Sequence, residues 1–210
     1  MSDIDKKKLK WYRIMETTLL NYNNMMKRLK HNDIFSDFVL IYYSIILIFL
    51  SSLSMYYPDF INERLCSFIS LNMSVIVLAF SIINGSSNFK IRINNIELSL
   101  NKIKNLKREI FEYSEQSGLE SNEKEKKIQE SIISYQSVVD STEVRKDIDF
   151  YKSLKSMLKS CDKEKNSYAQ EQLIEVNVKA EICKEIIKYV IEGVIIVAPI
   201  ILTLVIFMCK

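Results

Sequence analysis

The residue types that carry out chemistry in enzymes are scarce in this sequence of 210 residues. His31 is the only histidine, and the Asn32-Asp33 pair after it predicts a helix end rather than a catalytic pocket. The cysteines are widely spaced, at Cys66, Cys161, Cys183 and Cys209. They include no Cys-x-x-Cys pair, which argues against a zinc site or a disulfide framework. Three glycines cannot supply a phosphate-binding loop, so the sequence predicts no enzymatic activity, no cofactor and no metal.

Polar side chains inside apolar runs are the more informative group. Ser and Asn either bond neighbouring helices or line water between subunits, and an ionisable residue at membrane depth usually faces a partner or water. The candidates are Ser44, Ser51, Ser54, Ser70, Ser74, Ser81, Asn84 and Glu192. Two interpretations stay open for them, packing between helices and the wetted face of a pore. For Glu192, snorkelling to the membrane surface beside Lys188 is a third.

Three apolar runs position these side chains. Residues 38–57 and 65–84 contain no charged residue, and each is long enough to cross a bilayer core, which takes about 20 residues. A short connector that begins at Pro58 forces them into an antiparallel hairpin. Residues 186–210 form a third run, in which Pro199 frees a backbone carbonyl and predicts a kink. The alternative, a buried soluble hairpin, fits poorly because core helices rarely run so long without charge.

The composition agrees with this organisation. Hydrophobic residues make up 48% of the chain and charged residues 26%, and the two kinds lie in separate blocks. Only 3 Gly and 2 Pro are present, too few for the many turns of a β-sandwich or barrel. We therefore predict an all-α membrane protein, in which a transmembrane hairpin and a third, C-terminal transmembrane helix join a cytoplasmic bundle or coiled coil of long helices.

The distribution of Lys and Arg predicts the orientation. Residues 1–37 form a basic N-terminal helix, and Lys90 and Arg92 directly follow the hairpin of residues 38–89. The hairpin loop offers only Arg64, and the C-terminal end only Lys210. The positive-inside rule places the N-terminus and residues 90–188 in the cytoplasm and the C-terminus outside.

Residues 90–185 are predicted to be a cytoplasmic helical bundle. Apolar residues at steps of four or three form a narrow seam on a helix expected to continue straight out of the second span. This seam, a candidate oligomer or coiled-coil contact, comprises Phe89, Ile93, Ile96, Leu100, Ile103, Leu106, Ile110 and Tyr113. Basic and acidic residues are equal in number across the segment, which is typical of solvated helix faces and not of nucleic-acid binding.

Further helices complete the predicted bundle. Ser117-Gly118 is expected to end the seam helix, and the next helix is expected to begin at Ser121 and to end at a turn over residues 140–142. An apolar stripe then runs from Val144 to Leu158. A last helix is expected to begin at Asn166 and to lead directly into the third span. Its inward-facing residues are expected to be Ile174, Val178, Ile182 and Ile186.

The order of these features is similar to that of a known family. A basic helical lead with Arg13 and Lys27-Arg28-Leu29 precedes a Ser-rich hairpin and a long helix, and Tyr135 precedes Glu143-Val144-Arg145 and Asp149-Phe150-Tyr151. Residues 10–160 thereby resemble the SLATT family of two-transmembrane effector domains in bacterial anti-phage defence systems. The third span resembles the subgroup associated with reverse transcriptases.

The resemblance implies a multi-pass protein of the bacterial inner membrane. It implies a homo-oligomer that forms a pore or disrupts the bilayer when a genetically linked sensor fires, which causes abortive infection. A reverse transcriptase or a nucleotidyltransferase is the sensor that it suggests. The alternative left open is a non-conducting membrane anchor or regulatory scaffold that holds a soluble partner through residues 90–185.

Overall fold

The computed structural model describes residues 3–57, 62–115, 121–159, 169–170, 172 and 178–208. Six long α-helices lie in these residues: α1 Asp3–Tyr56, α2 Glu63–Ser87, α3 Phe89–Glu115, α4 Ser121–Asp140, α5 Asp147–Leu158 and α6 Val178–Met208. No strand occurs within the described ranges. Three helical stretches, in Lys7–Tyr56, Glu63–Tyr113 and Lys179–Ile206, are long and apolar enough to cross a membrane. The prediction of an all-α membrane protein is confirmed.

Helix α1 is longer than the sequence predicts. It runs over 54 residues without interruption, so the helix end expected at His31 is wrong. No Gly or Pro occurs between residues 3 and 56, and Asn32 and Asp33 alone cost too little helix propensity to stop it. Both residues are half-buried within the helix.

The expectation that α3 continues straight out of the second span is also wrong. Helix α2 ends at Ser87, and Asn88 adopts a left-handed conformation with φ 48° and ψ 38° before α3 begins at Phe89. Asn tolerates this region better than other residues with a side chain, and it commonly ends helices there. Asn88 therefore separates the apolar span from the charged helix that follows it.

The segment between α4 and α5 confirms the turn predicted at residues 140–142, since α4 ends at Asp140. It corrects the apolar stripe, because Val144 precedes α5 and is 84% exposed. The expected inward placement of Ile182 and Ile186 is also wrong, since both side chains are exposed. Several sequence-based expectations fall outside the described residues: those on Pro58, Ser117-Gly118, Asn166, Ile174, Cys161 and Cys209.

The chain forms two compact units. The bundle unit comprises Met1–Leu29 and Lys90–Glu181, and the membrane unit comprises Lys30–Phe89 and Ile182–Lys210. Helix α1 contributes residues to both. Fully or nearly fully buried residues of all three apolar helices form the core of the membrane unit: Val39, Tyr43, Leu50, Cys66, Ile69, Met73 and Ile206.

Candidate functional site

The membrane unit contains an ionisable cluster in which α1 supplies His31 and Asn32 and α6 supplies Lys188 and Glu192. Nε2 of His31 lies 3.1 Å from Oε2 of Glu192. Lys188 donates from Nζ to Oδ1 of Asn32 at 2.6 Å, and the same Nζ lies 3.5 Å from Oε1 of Glu192. The carboxylate of Glu192 is thus held between a side chain of α1 and one of α6. These four residues are called the Glu192 cluster below.

Helix geometry assembles the Glu192 cluster. Lys188 and Glu192 are four residues apart and share one face of α6. The His31 ring stacks on Phe35 of its own helix and meets the Tyr189 ring edge-on. The Glu192 side chain is only 13% exposed, against 39% for Lys188. A largely buried carboxylate is costly without partners, and His31 and Lys188 supply these partners to Glu192.

A second polar contact joins α1 to α2. Asn84 donates from Nδ2 to Oδ1 of Asp37 at 2.6 Å, and both residues are half-buried. Asp37 directly precedes the first apolar run and Asn84 closes the second. The antiparallel hairpin therefore brings these two run ends together.

A third contact answers the backbone defect at Pro199, which lies inside α6. Pro199 has no N–H, so the carbonyl of Ile195, four residues earlier, lacks its helical donor. The Tyr43 hydroxyl donates to that carbonyl at 2.8 Å. The neighbouring Tyr42 hydroxyl donates to the Ile196 carbonyl at 3.1 Å. Two tyrosines of α1 thus satisfy carbonyls of α6 in a region where lipid offers no hydrogen bonds.

The predicted serines lie in different surroundings. Ser44 donates to the Leu40 carbonyl at 2.7 Å, and Ser74 donates to the Leu71 carbonyl at 2.7 Å, each within its own helix. Ser44, Ser54 and Ser70 are half-buried, whereas Ser51, Ser74 and Ser81 are exposed. Of the predicted polar residues, the structure therefore brings Asn84 and Glu192 into contact with α1 but leaves three serines facing outward.

From Ile93 onward, the predicted seam of α3 faces the interior of the bundle unit. Ile96, Leu100, Ile103 and Ile110 are buried. Phe89, Ile93, Leu106 and Tyr113 are half-buried. One basic residue of α3 contacts α1 beside this seam, since Lys107 Nζ lies 3.9 Å from the centre of the Tyr12 ring. Use of the seam between two chains would therefore require this packing to open.

Residues that carry the SLATT resemblance dock α5 on α1. Arg28 makes a two-pronged ion pair with Asp149, with Nε to Oδ1 at 3.0 Å and Nη2 to Oδ2 at 2.9 Å. The two side chains are 14% and 1% exposed. Asp149 also accepts from the backbone N–H of Lys146 at the start of α5. Asn24 of α1 adds bonds to the Asp149 carbonyl and to Ser153, so the contact is extensive and nearly dry.

Tyr135 and Glu143, also part of the resemblance, fix the neighbouring segment. The Tyr135 hydroxyl is 2.7 Å from Oγ1 of Thr18, and burial of the ring raises the tyrosine pKa above 10.0. Glu143 pairs with Arg92 of α3, and this hydrogen bond raises the pKa of the guanidinium. The region around the α4–α5 connection is thus joined to α1 and α3 by contacts of four residues: Arg28, Tyr135, Glu143 and Asp149.

A metal site is not formed by the residues that the structure describes. Among them, no three His, Cys, Asp or Glu side chains lie close enough to hold an ion. Cys66 is buried with a free thiol, and Cys183 is exposed with a free thiol.

Three of these contacts escape sequence reasoning. The partnership of His31 with Glu192 joins residues 161 positions apart, which no local spacing encodes. From the sequence, Asp37 is only the last charged residue before the first apolar run. A charge directly beside that run indicates that a polar partner is needed, but it does not identify Asn84 as the partner. The sequence predicts a freed carbonyl at Ile195, because residue 199 is proline, but it does not show that Tyr43 of α1 lies beside this carbonyl.

Comparison with known proteins identifies the family. No curated protein and no solved structure is significantly similar to the chain. The profile of one family matches residues 6–205 and so extends into all three apolar helices. The SLATT resemblance of the sequence is thereby confirmed. The chain belongs to the SMODS and SLOG-associating 2TM effector domain family 5.

Proposed function

We propose that this protein is the membrane effector of a bacterial anti-phage defence system. In this proposal it oligomerises and makes the inner membrane leaky when a linked sensor activates it, and the infected cell dies or stops growing. The observation that carries the proposal is the family match over residues 6–205 of a chain with three helices apolar enough to cross a membrane. The family description names association with SMODS and SLOG components, which supports a nucleotide-making or nucleotide-sensing partner.

The leak is proposed to arise between copies of the chain, because three helices enclose no useful channel by themselves. Ser51, Ser74 and Ser81 are exposed and so are available to face water in an assembly. The bundle unit receives the signal, and repacking along the seam of α3 displaces α2, the span that directly precedes α3 in the chain. In this proposal, the displacement opens a hydrophobic constriction between the copies of the chain, and water then enters it.

The proposed topology follows the distribution of basic residues. The N-terminus and residues 90–188 are assigned to the cytoplasm and the C-terminus to the outside of a multi-pass inner-membrane protein. The bundle unit, which contains Lys90–Glu181, then faces the compartment of the proposed sensor, a reverse transcriptase or a nucleotidyltransferase.

The decisive experiment measures leakage and partner recruitment separately. Induction of the chain with its neighbouring sensor gene is expected to depolarise cells and to admit a membrane-impermeant dye. The double variant Ser74→Leu/Ser81→Leu should reduce dye entry while the protein stays in the membrane and still recruits the sensor, because both positions are exposed. Ser74→Ala/Ser81→Ala, which removes the hydroxyls without adding bulk, serves as the matched control.

A non-conducting anchor is the competing function. Residues 90–185 support it, because their basic and acidic residues are equal in number, as on the solvated helix faces of a scaffold. Growth arrest with intact membranes and normal recruitment would favour the anchor and reject the pore.

A further inference from the structure

Helix α6 is joined to α1 by contacts that lipid cannot replace. Tyr43 and Tyr42 donate to the carbonyls of Ile195 and Ile196, and Lys188 donates to Asn32. Separation of α6 from α1 would leave the Ile195 carbonyl without any donor, since residue 199 is proline. An unsatisfied polar group in hydrocarbon costs several kcal/mol. The α1–α6 pair is therefore expected to move as one body.

Three polar side chains of α2 donate to carbonyls of their own helix. Asn72 donates to the Phe68 carbonyl at 2.8 Å, and Ser74 donates to the Leu71 carbonyl at 2.7 Å. Ser86 does the same with the Ile83 carbonyl at 3.2 Å. These bonds stay within α2 and do not change when the helix rotates or shifts. For these side chains, displacement of α2 carries no penalty for unpaired polar groups.

In the part of the chain that the structure describes, two polar contacts between α2 and α1 lie near the ends of α2. At one end Asn84 donates to Asp37 at 2.6 Å. At the other, the Cys66 thiol lies 3.8 Å from the Leu50 carbonyl, a weak donor at long range. Between them, buried Ile69 and Met73 make apolar contacts, which lipid tails replace at little cost because they are equally apolar.

We infer that α2 is the span that moves in gating, that α1 and α6 form the fixed pair, and that the Asp37–Asn84 hydrogen bond is the latch of the closed state. The inference rests on the proposed leak function and adds the identity of the moving helix to it. Release of α2 parts Asn84 from Asp37, and the freed carboxylate then lies at the opened margin of α1, where water must solvate it.

Two reversible locks test this inference in the full-length chain with its native cysteines replaced. In the first, Asp37→Cys and Asn84→Cys are joined by a disulfide or by the shortest bifunctional thiol reagent, which fastens α2 to α1. In the matched second lock, Asn32→Cys and Lys188→Cys are joined by a longer bifunctional thiol reagent, which fastens α6 to α1. Each single-cysteine variant receives the same reagent as a control. Dye leakage is compared before locking, after locking and, for the disulfide, after reduction.

Without the lock, Asp37→Cys/Asn84→Cys lacks the latch and is expected to leak even before the sensor is triggered. The α1–α2 lock is expected to lower this leak by at least about tenfold, a shift of about 1.4 kcal/mol between closed and open states, and reduction is expected to restore it. The α1–α6 lock is expected to leave the leak of the same variant unchanged. A leak that survives the α1–α2 lock, or that the α1–α6 lock abolishes, would overturn the inference while the leak function stands. Absence of any leak from the unlocked chain would reject the proposed function, and the inference with it.

Discussion

At the scale of single residues, ion pairs of similar chemistry differ in their surroundings. Arg28–Asp149 is 14% and 1% exposed, whereas Arg92–Glu143 is 33% and 37% exposed. Removal of one partner from a buried pair leaves a charge unpaired away from water, and the loss is far larger than at a surface pair. The two pairs therefore form a natural comparison within one unit.

The first prediction is that Asp149→Asn lowers the free energy of unfolding of the bundle unit by about 3–5 kcal/mol, because Arg28 then stays buried without a carboxylate. The matched variant Glu143→Gln should cost about 1 kcal/mol or less, since solvent screens this pair. Denaturant unfolding of the detergent-solubilised protein, followed by circular dichroism, measures both. Equal losses in the two variants would contradict the prediction.

The second prediction concerns alkaline pH. Burial raises the pKa of Tyr22 and of Tyr135 in the folded chain above 10.0. The unfolded state therefore loses these protons first, so their contribution to stability is complete below pH 10 and falls as pH rises through the folded-state pKa values. The double variant Tyr22→Phe/Tyr135→Phe should be less stable at neutral pH, because it loses the Thr18 bond, yet should show a shallower alkaline decline in melting temperature. A decline as steep as that of the native chain would refute this assignment.

At the scale of elements, the pairing of α1 with α6 depends on a backbone hydrogen bond that Pro199 removes from α6 and on a side chain of α1 that replaces it. The 31-residue helix α6 crosses Pro199 without ending. It does so beside Tyr43, a fully packed residue of α1 that is 2% exposed and supplies the missing donor. The proline and the tyrosine are thus coupled across two helices.

The third prediction tests this coupling. Tyr43→Phe should weaken the association of α6 with α1 by about 1–2 kcal/mol in a membrane denaturation assay, because the Ile195 carbonyl loses its donor. In a Pro199→Ala background the same change should cost much less, since the substituted alanine supplies a backbone N–H to that carbonyl. Tyr42→Phe is the control: its acceptor, Ile196, has the N–H of Ile200 available in both backgrounds. An equal effect of Tyr43→Phe with and without Pro199 would rule out the coupling.

At the scale of the whole molecule, the two units carry different groups of contacts, so the side of the membrane on which the bundle unit lies matters for function. The bundle unit carries the contacts that the family resemblance singles out, and the membrane unit carries the ionisable cluster around Glu192. If the bundle unit faces the cytoplasm, then it can meet a sensor directly.

The fourth prediction is that Cys183 in intact cells resists a membrane-impermeant maleimide, while a single cysteine placed at the C-terminus reacts. The basis is the positive-inside rule applied to Lys90 and Arg92, with residues 90–188 assigned to the cytoplasm. Cys183 is exposed, so burial does not explain a lack of labelling. All other cysteines are replaced, and permeabilised cells give the value for full labelling. Rapid labelling of Cys183 in intact cells would contradict the predicted topology and would indicate the opposite orientation.

The sequence by itself determined the class of the molecule. Apolar runs free of charge, long periodic helices and a low content of Gly and Pro are local properties, and they predicted an all-α membrane protein with three long apolar helices and a turn after Asp140. The family could likewise be identified from the sequence, because the resemblance depends on the order of residues such as Tyr135 and Asp149 along the chain.

The tertiary structure decided which residues act together. The helix through His31 and the break at Asn88 each depend on a balance of small backbone energies that local spacing does not resolve. The partners of Glu192, Asn84 and the Ile195 carbonyl lie 161, 47 and 152 positions away in the chain. Such contacts form because folding brings distant helices side by side, and burial then makes unpaired polar groups too costly to leave.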